Sequence, residues 1–389
     1  MEQDKNKTVA DLRERFRAIY GGEPRIFRAP GRVNLIGEHT DYNDGFVMPA
    51  AIEFYVWVAI GSREDRKLRV YSVNYSERIE FDLEEKNPSR RSHWSDYVRG
   101  VAVMLERDGH RFSGADILIR GDVPIGSGLS SSAAIEVATG IALLETSGTA
   151  IDRVKLAKLC RQAENEFVGA RVGIMDQFIS CCGRAGQSLM LDCRSLEFRL
   201  VPIPRGVTLV ICNTMVKHEL ASNEYNTRRA ECAEGVHILS PFLPGIRALR
   251  DVTVADLERY GHTLPETIHK RCRHVVTENL RVEQAVAALD RGDLEAFGRR
   301  MIESHRSLRD DYAVSCAELD RMVELAQGVK GVFGSRMTGG GFGGCTINVI
   351  ASEMAPDFKE HIAHSYQQAT QLSPQIFASP AAEGASEVK

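Results

Sequence analysis

Segments with strand character arrive in groups along this chain instead of alternating one for one with helices, an order that argues against a doubly wound parallel sheet. Segments 25–29, 52–60, 68–73 and 78–83 are rich in β-branched and aromatic residues, and they precede a single helical pattern at 94–106. A further strand at 115–120 leads to two helices, one starting near Ser130 and one spanning 152–168. With the amphipathic helix 9–20 in front, these elements make an α+β first half. A mostly helical second half follows the break Pro202-Ile203-Pro204-Arg205-Gly206. It comprises a strand at 207–212, a helix around 223–235, a short helix from Val252, and apolar residues at helical spacing over 266–288, 293–308 and 316–326. Two last strands, 333–338 and 345–350, flank a glycine cluster.

At 389 residues the chain exceeds the size at which one hydrophobic core stops growing. Two domains are expected, 1–205 and 206–378, with the small polar residues 379–389 as a disordered tail. The formal net charge of -4 gives no basic excess, which argues against affinity for nucleic-acid phosphates. The densest basic run, 269–274, reads as a solvated helix face. Residues 1–17 lack an apolar signal region, and no stretch reaches the roughly 20 apolar residues needed to span a bilayer. Nine cysteines without a CxxC pair point to reduced thiols and a cytoplasmic protein. The pair Cys181-Cys182 reads as part of a packed, small-residue strand.

Three segments carry chemistry. The first, residues 31–42, packs Arg32, Glu38, His39, Asp41 and Tyr42 into twelve positions. A core would not hold three such neighbours unpaired. The segment is therefore either a polar turn after the strand 25–29 or a surface for a small polyhydroxylated ligand. The second is Val123-Pro124-Ile125-Gly126-Ser127-Gly128-Leu129-Ser130-Ser131-Ser132, which follows a strand and opens a helix. Glycines let backbone approach a phosphate, and the N–H groups of a helix start carry partial positive charge. The segment lacks the lysine of a Walker A loop and the third glycine of a dinucleotide fingerprint. Gly339 to Gly344 does contain GxGxxG, but a strand follows where a helix is required. That cluster is either a hairpin turn or a close approach to a ligand or another backbone segment. In the third segment, 173–178, Asp176 stands between apolar residues as a helix cap or as an acceptor for a substrate proton. Upstream, Glu164 is either a solvated helix residue or turns inward to hold a divalent metal.

Together the segments resemble the galactokinases of the GHMP small-molecule kinase superfamily, over nearly the whole chain. The signatures are GRVNLIGEHTDYNDGFVMPAAI at 31–52, PIGSGLSSSAA at 124–134 and MTGGGFGGC at 337–345. Blocks 93–101, 173–178 and 222–229 match as well. The resemblance implies a two-domain α+β GHMP kinase fold: a first half like ribosomal protein S5 domain 2, a ferredoxin-like second half, and the active site between them. It implies transfer of the γ-phosphoryl group of ATP to the anomeric hydroxyl of galactose, by a monomer or weak homo-oligomer. Alternatives are a kinase for a related sugar such as N-acetylgalactosamine and a non-catalytic galactose sensor.

Under the resemblance, Glu38, His39, Thr40, Asp41, Gly173 and Tyr225 would form the galactose site. Asp176 would face the anomeric hydroxyl, as base or as positioning group. Arg32 would be its counter-ion and would stabilise charge on the transferring phosphoryl group. Residues 124–132 would wrap the ATP phosphates, Ser132 and Glu164 would hold Mg²⁺, and Trp94 would contact adenine. Taken alone, a tryptophan at a helix start is equally a core anchor.

Overall fold

The computed structural model describes residues 2–150, 152–216 and 221–388. Helix α1 (Glu2–Tyr20) leads to β1 (Arg25–Asn34), β2 (Phe46–Val47), β3 (Pro49–Ser62), β4 (Lys67–Ser72), β5 (Glu77–Asp82), α2 (Ser95–Arg107) and β6 (Ala115–Gly121). Helices α3 (Ser131–Thr146), α4 (Arg153–Gln162) and α5 (Met175–Cys182) follow, then β7 (Gln187–Asp192), β8 (Phe198–Pro202) and β9 (Val207–Asn213). Next come α6 (Ala221–Leu239), α7 (Val254–Tyr260), α8 (Glu266–Asp290), α9 (Leu294–Asp310) and α10 (Ala317–Gln327). The chain closes with β10 (Val332–Thr338), β11 (Cys345–Ala351), α11 (Ala355–Thr370), β12 (Gln375–Ser379) and β13 (Ser386–Val388).

Among the described residues the strands form three sheets, ordered β13-β1-β3-β6-β4-β5, β10-β11-β9-β12 and β2-β7-β8. Among the described residues all pairings are antiparallel except β4 with β6, which the crossover through β5 and α2 makes parallel. The apolar run of β9 is explained by burial on both faces. Leu209 and Ile211 join the large core under the six-stranded sheet, whereas Val210 and Cys212 pack with Phe358 and Ile362 of α11. The larger core therefore continues across residue 205, and the second half's sheet is wedged against the first half. At the seam the Asn34 N–H donates to Thr338 Oγ1 (2.9 Å), and Arg336 Nη1 donates to the Asn34 carbonyl (3.0 Å). This joins the end of β1 to the end of β10.

Three expectations are corrected. Residues 379–388 are ordered: β13 pairs with β1 (Ile26 opposite Val388), and Ala381, Ala382 and Ala385 are buried. Lys389 lies outside the described residues. The small residues are required by packing, because a Cβ on Gly384 would come within 2.7 Å of the Cys181 carbonyl. Cys181 and Cys182 are the last turn of α5, not a strand. The basic run 269–274 is not a solvated face either. Arg271 is buried and pairs with Glu231 (2.9 Å), and His274 is fully buried; His269, Lys270 and Arg273 are the residues that reach the surface.

Candidate active site

Strand β1 runs five residues beyond its expected end, so the polar segment begins inside a sheet. Gly31 makes this possible, since a Cβ there would meet the Leu129 carbonyl at 2.6 Å. The Arg32 N–H donates to that same carbonyl (3.0 Å), laying the second segment against the first. Arg32, 5 % exposed, then forks onto Asp176, with Nε to Oδ1 and Nη2 to Oδ2 both at 2.8 Å. A bidentate pair fixes both planes. The Ser130 hydroxyl donates to Asp176 Oδ2, and Ser130 itself sits at φ 62° immediately before α3. Asp176 is the second residue of α5, and Ile174 occupies the cap position. Its side chain is thus free to face Arg32.

Asp176, Arg32, Glu38, His39, Asp41, Gly173 and Tyr225 line one cavity of about 140 Å³, closed by Gly339 and Gly340 of the glycine cluster. A Cβ on Gly173 would lie 1.7 Å from Asp41 Oδ2, so only glycine leaves room for that carboxylate. Glu38 Oε1 accepts from the Gly339 N–H (2.7 Å) and lies 3.7 Å from Arg336 Nη2. Burial raises the Glu38 carboxyl above its usual range despite Arg336 and Arg32. Burial, Asp176 and Glu38 push Asp41 up to about 6. His39 is pushed down to about 3, by burial first and then by His274, and is neutral. Thr40 alone of the expected sugar residues faces elsewhere. Its hydroxyl is within hydrogen-bond reach of the Gly37 and Phe46 carbonyls and ties the 37–46 loop shut.

The second cavity, about 200 Å³, is lined by Tyr75, Trp94, Tyr97, Ile125, Ser131 and Ser132 among others. Trp94 stacks on Tyr75 at 5.6 Å, making an aromatic wall suited to a flat ring. Between the cavities run residues 124–132. Gly126 (φ 73°) and Gly128 (φ 79°) turn the backbone, Ser127 Oγ is held by the Pro124 carbonyl (2.7 Å), and the loop ends at the N-terminus of the 16-residue α3. The arrangement can hold an anion. The glycine cluster is a close approach: a Cβ at Gly339 or Gly344 would come within 3.1 Å of the Gly128 or 3.0 Å of the Ser127 carbonyl.

Beneath this loop, Glu164 lies in the π-helical turn Ala163–Val168 that continues α4. It is 4 % exposed, hydrogen-bonds Ser132, and accepts from Gln177 Nε2 (2.6 Å), which also donates to Glu136 (3.0 Å). Glu136 and Gln177 escaped the sequence reading. Glu136 falls four residues after Ser132, on the same helix face, and Gln177 adjoins Asp176; a lone Glu in the apolar run 133–138 was the available signal. Arg336, Tyr312 and His274 were missed as well, because sequence spacing does not reveal that α8 and β10 pack behind the loop 35–45.

Comparison with known proteins agrees with this geometry. The galactokinase galactose-binding signature matches residues 14–62, and the N-terminal and C-terminal GHMP kinase domains match 96–184 and 285–365. A galactokinase of Roseiflexus sp. (strain RS-1) is 47 % identical over 98 % of this chain and 97 % of its own. One from Chloroflexus aggregans is 51 % identical over 88 % of each. The crystal structure of Lactococcus lactis galactokinase complexed with galactose, 36 % identical, superposes with a TM-score of 0.94 over 98 % of this chain and all of that one. Three matching signatures and relatives at about half identity place this chain in the galactokinase family of the GHMP kinases.

Proposed function

We propose that the chain transfers the γ-phosphoryl group of ATP to the anomeric hydroxyl of α-D-galactose, giving galactose 1-phosphate and ADP. The observation that carries this reading is the position of Asp176. Its carboxylate lines the smaller cavity and also accepts from Ser130 of the phosphate loop, so one group addresses both substrates. The sugar oxygen forms the new P–O bond, the β–γ bridging oxygen leaves with ADP, and the hydroxyl proton passes to Asp176 or, through it, to solvent. A loose transition state requires little deprotonation beforehand. Arg32 keeps Asp176 oriented and places positive charge where the transferring group's oxygens gather it. Glu38, Asp41 and Tyr225 offer hydrogen bonds to sugar hydroxyls, and His39 adds a ring nitrogen. The aromatic wall of Trp94 and Tyr75 suits adenine.

Ser132 and Glu164 fit Mg²⁺. A hydroxyl and one carboxylate leave the remaining positions to phosphate oxygens and water. Burial first, and then the Asp176 carboxylate, raise the Glu164 carboxyl to about 7, and burial holds the neighbouring Glu136 carboxyl well above its usual range. The metal would neutralise phosphate charge. Ser132→Ala and Glu164→Ala are expected to raise the Mg²⁺ concentration for half-maximal rate about tenfold or more, the loss given by removing an interaction of roughly 1.4 kcal/mol. An unchanged Mg²⁺ titration would remove both from that role. The free thiols of all nine cysteines support a cytoplasmic setting. Among the described residues no helix is long and apolar enough to cross a membrane.

A pH dependence follows from Asp41. Its value of about 6 exceeds the ordinary 3.8, so its stabilising contribution is present in full below about 3.8 and is lost as pH rises through 6. Sugar binding has the opposite sign, since a hydroxyl donates to the ionised carboxylate. Around Asp41 stand Asp176, Glu38, Tyr225 and Arg229. The galactose KM is expected to rise as pH falls through about 6, and Asp41→Asn to flatten that profile at a higher KM. A wild-type KM constant from pH 5 to 8 would contradict it.

The test of substrate is ADP release over a panel of galactose, N-acetylgalactosamine, glucose and mannose with ATP and Mg²⁺. Galactose is expected to give the highest kcat/KM. A preference for N-acetylgalactosamine would shift the substrate, and binding of sugar and ATP without ADP release would make the chain a sensor.

A further inference from the structure

Behind the sugar cavity lies a row of polar groups that phosphoryl transfer does not use. His39 Nδ1 is 2.8 Å from the Tyr42 hydroxyl, Tyr42 is 2.9 Å from the Tyr312 hydroxyl, and Tyr312 is 3.1 Å from the Cys232 sulfur. At the other end His39 Nε2 is 3.2 Å from the Gly340 carbonyl. Tyr312 and Cys232 are at most 1 % exposed and His39 is 4 % exposed; Tyr42 is half-buried, and both partners of its hydroxyl are buried, so the direction of these bonds is set from the ends of the row. One group in the row has a fixed role, because a carbonyl only accepts.

From that end each proton is assigned in turn. Nε2 must carry hydrogen to donate to Gly340. The buried ring is neutral, with Arg228, Arg336 and His274 all disfavouring a second proton, so Nδ1 is bare. Tyr42 then donates to Nδ1, which obliges it to accept from Tyr312, and Tyr312 in turn accepts from the Cys232 thiol. The aromatic contacts hold the ring in place: His39 lies 4.8 Å from Tyr312 and 5.6 Å from Tyr225, centroid to centroid. His39 and Gly340 both line the cavity, so Nε2–H is the ring hydrogen on the cavity side, where a sugar oxygen would share it with the Gly340 carbonyl.

We propose that Tyr42 and Tyr312 are positioning residues for sugar recognition: their hydroxyls lock His39 as the Nε2–H tautomer, so that it meets the sugar only as a hydrogen-bond donor. The site then divides its labour by direction. Glu38 and Asp41 accept, and select hydroxyls that donate, whereas His39 selects a sugar oxygen that accepts. This rests on the galactose reading for its ligand, but the tautomer belongs to the free protein and is read without any sugar.

The test is ¹⁵N–¹H correlation spectroscopy of histidine-labelled protein, with His39 assigned by comparison with His39→Gln. Free wild type is expected to show one bare nitrogen, Nδ1, and one protonated nitrogen, Nε2. Galactose should shift the Nε2–H signal and leave Nδ1 bare. Tyr42→Phe should move the Nδ1 resonance and raise the galactose KM about 5- to 10-fold through one lost hydrogen bond, with the ATP KM and Tm near wild type. Tyr312→Phe, one step further back, should move both readouts in the same direction by less. An Nδ1–H tautomer in the free wild type would overturn the proposal. So would a Tyr42→Phe protein whose His39 signals and galactose KM match wild type. If the tautomer is as stated and galactose is neither bound nor phosphorylated, the substrate assignment fails instead.

Discussion

Asp176→Ala is expected to lower kcat by about 10²–10⁴-fold, the range for removing a positioned proton acceptor, while galactose and ATP still bind. On the proposed reading the sugar keeps Glu38, His39, Asp41 and Tyr225, which line its cavity, and the nucleotide keeps the phosphate loop, so the loss should fall on kcat. Asp176→Asn separates the two roles left open for this carboxylate. The amide retains shape and some hydrogen bonding to Ser130 but is a poor proton acceptor. A kcat for Asn as low as for Ala identifies a base; a rate much closer to wild type identifies a positioning group. Near-normal turnover in a folded Asp176→Ala protein would remove the residue from the mechanism altogether. Equilibrium galactose binding by calorimetry, measured on the same preparations, shows that each variant is intact.

The second large effect belongs to Arg32. Arg32→Met keeps most of the volume inside β1 but removes the fork to Asp176 and the bond to the Gly128 carbonyl. Positive charge supplied to a transferring phosphoryl group is worth about 10³–10⁵-fold in kcat in related chemistry, and a loss of at least about 10³-fold is expected here. Lysine would restore charge without the planar two-point contact, so Arg32→Lys should recover only part of the rate. Some stability is lost as well. Breaking a fully buried pair costs about 3–5 kcal/mol, but the Asp176 side chain retains 25 % exposure and the loss should be smaller. A rate within tenfold of wild type for Arg32→Met would show that Arg32 only braces the strand.

Much of the site was legible because its residues are local in sequence. Arg32 to Asp41 lie in ten consecutive positions, and the glycine-serine loop sits where a strand meets a helix, a context that signals an anion site without knowledge of the rest of the chain. Grouped strands likewise announced an α+β chain. What sequence hid is what depends on partners distant along the chain. Strand β13 has three residues and no usable period; it exists because β1 offers an unpaired edge and because alanines fit against α5. His274 and Arg271 read as surface charge until α8 is seen packed against α6 and the loop at Glu38, where the His274 ring meets the Glu38 carbonyl at 3.1 Å. Thr40 was the opposite case. Its place in the signature suggested sugar contact, whereas its hydroxyl serves the loop that presents its neighbours.

Asp176, which lines the smaller cavity, is proposed to receive the anomeric hydroxyl, and the product of the reaction tests this most directly. Galactose, ATP and Mg²⁺ incubated with the protein should yield ADP and an equal amount of a sugar phosphate. In ³¹P–¹H correlation spectra its phosphorus should couple to the anomeric proton of α-D-galactose. Phosphate on any other hydroxyl, or ADP formed with free phosphate and unchanged sugar, would contradict the proposed placement of the anomeric oxygen beside Asp176.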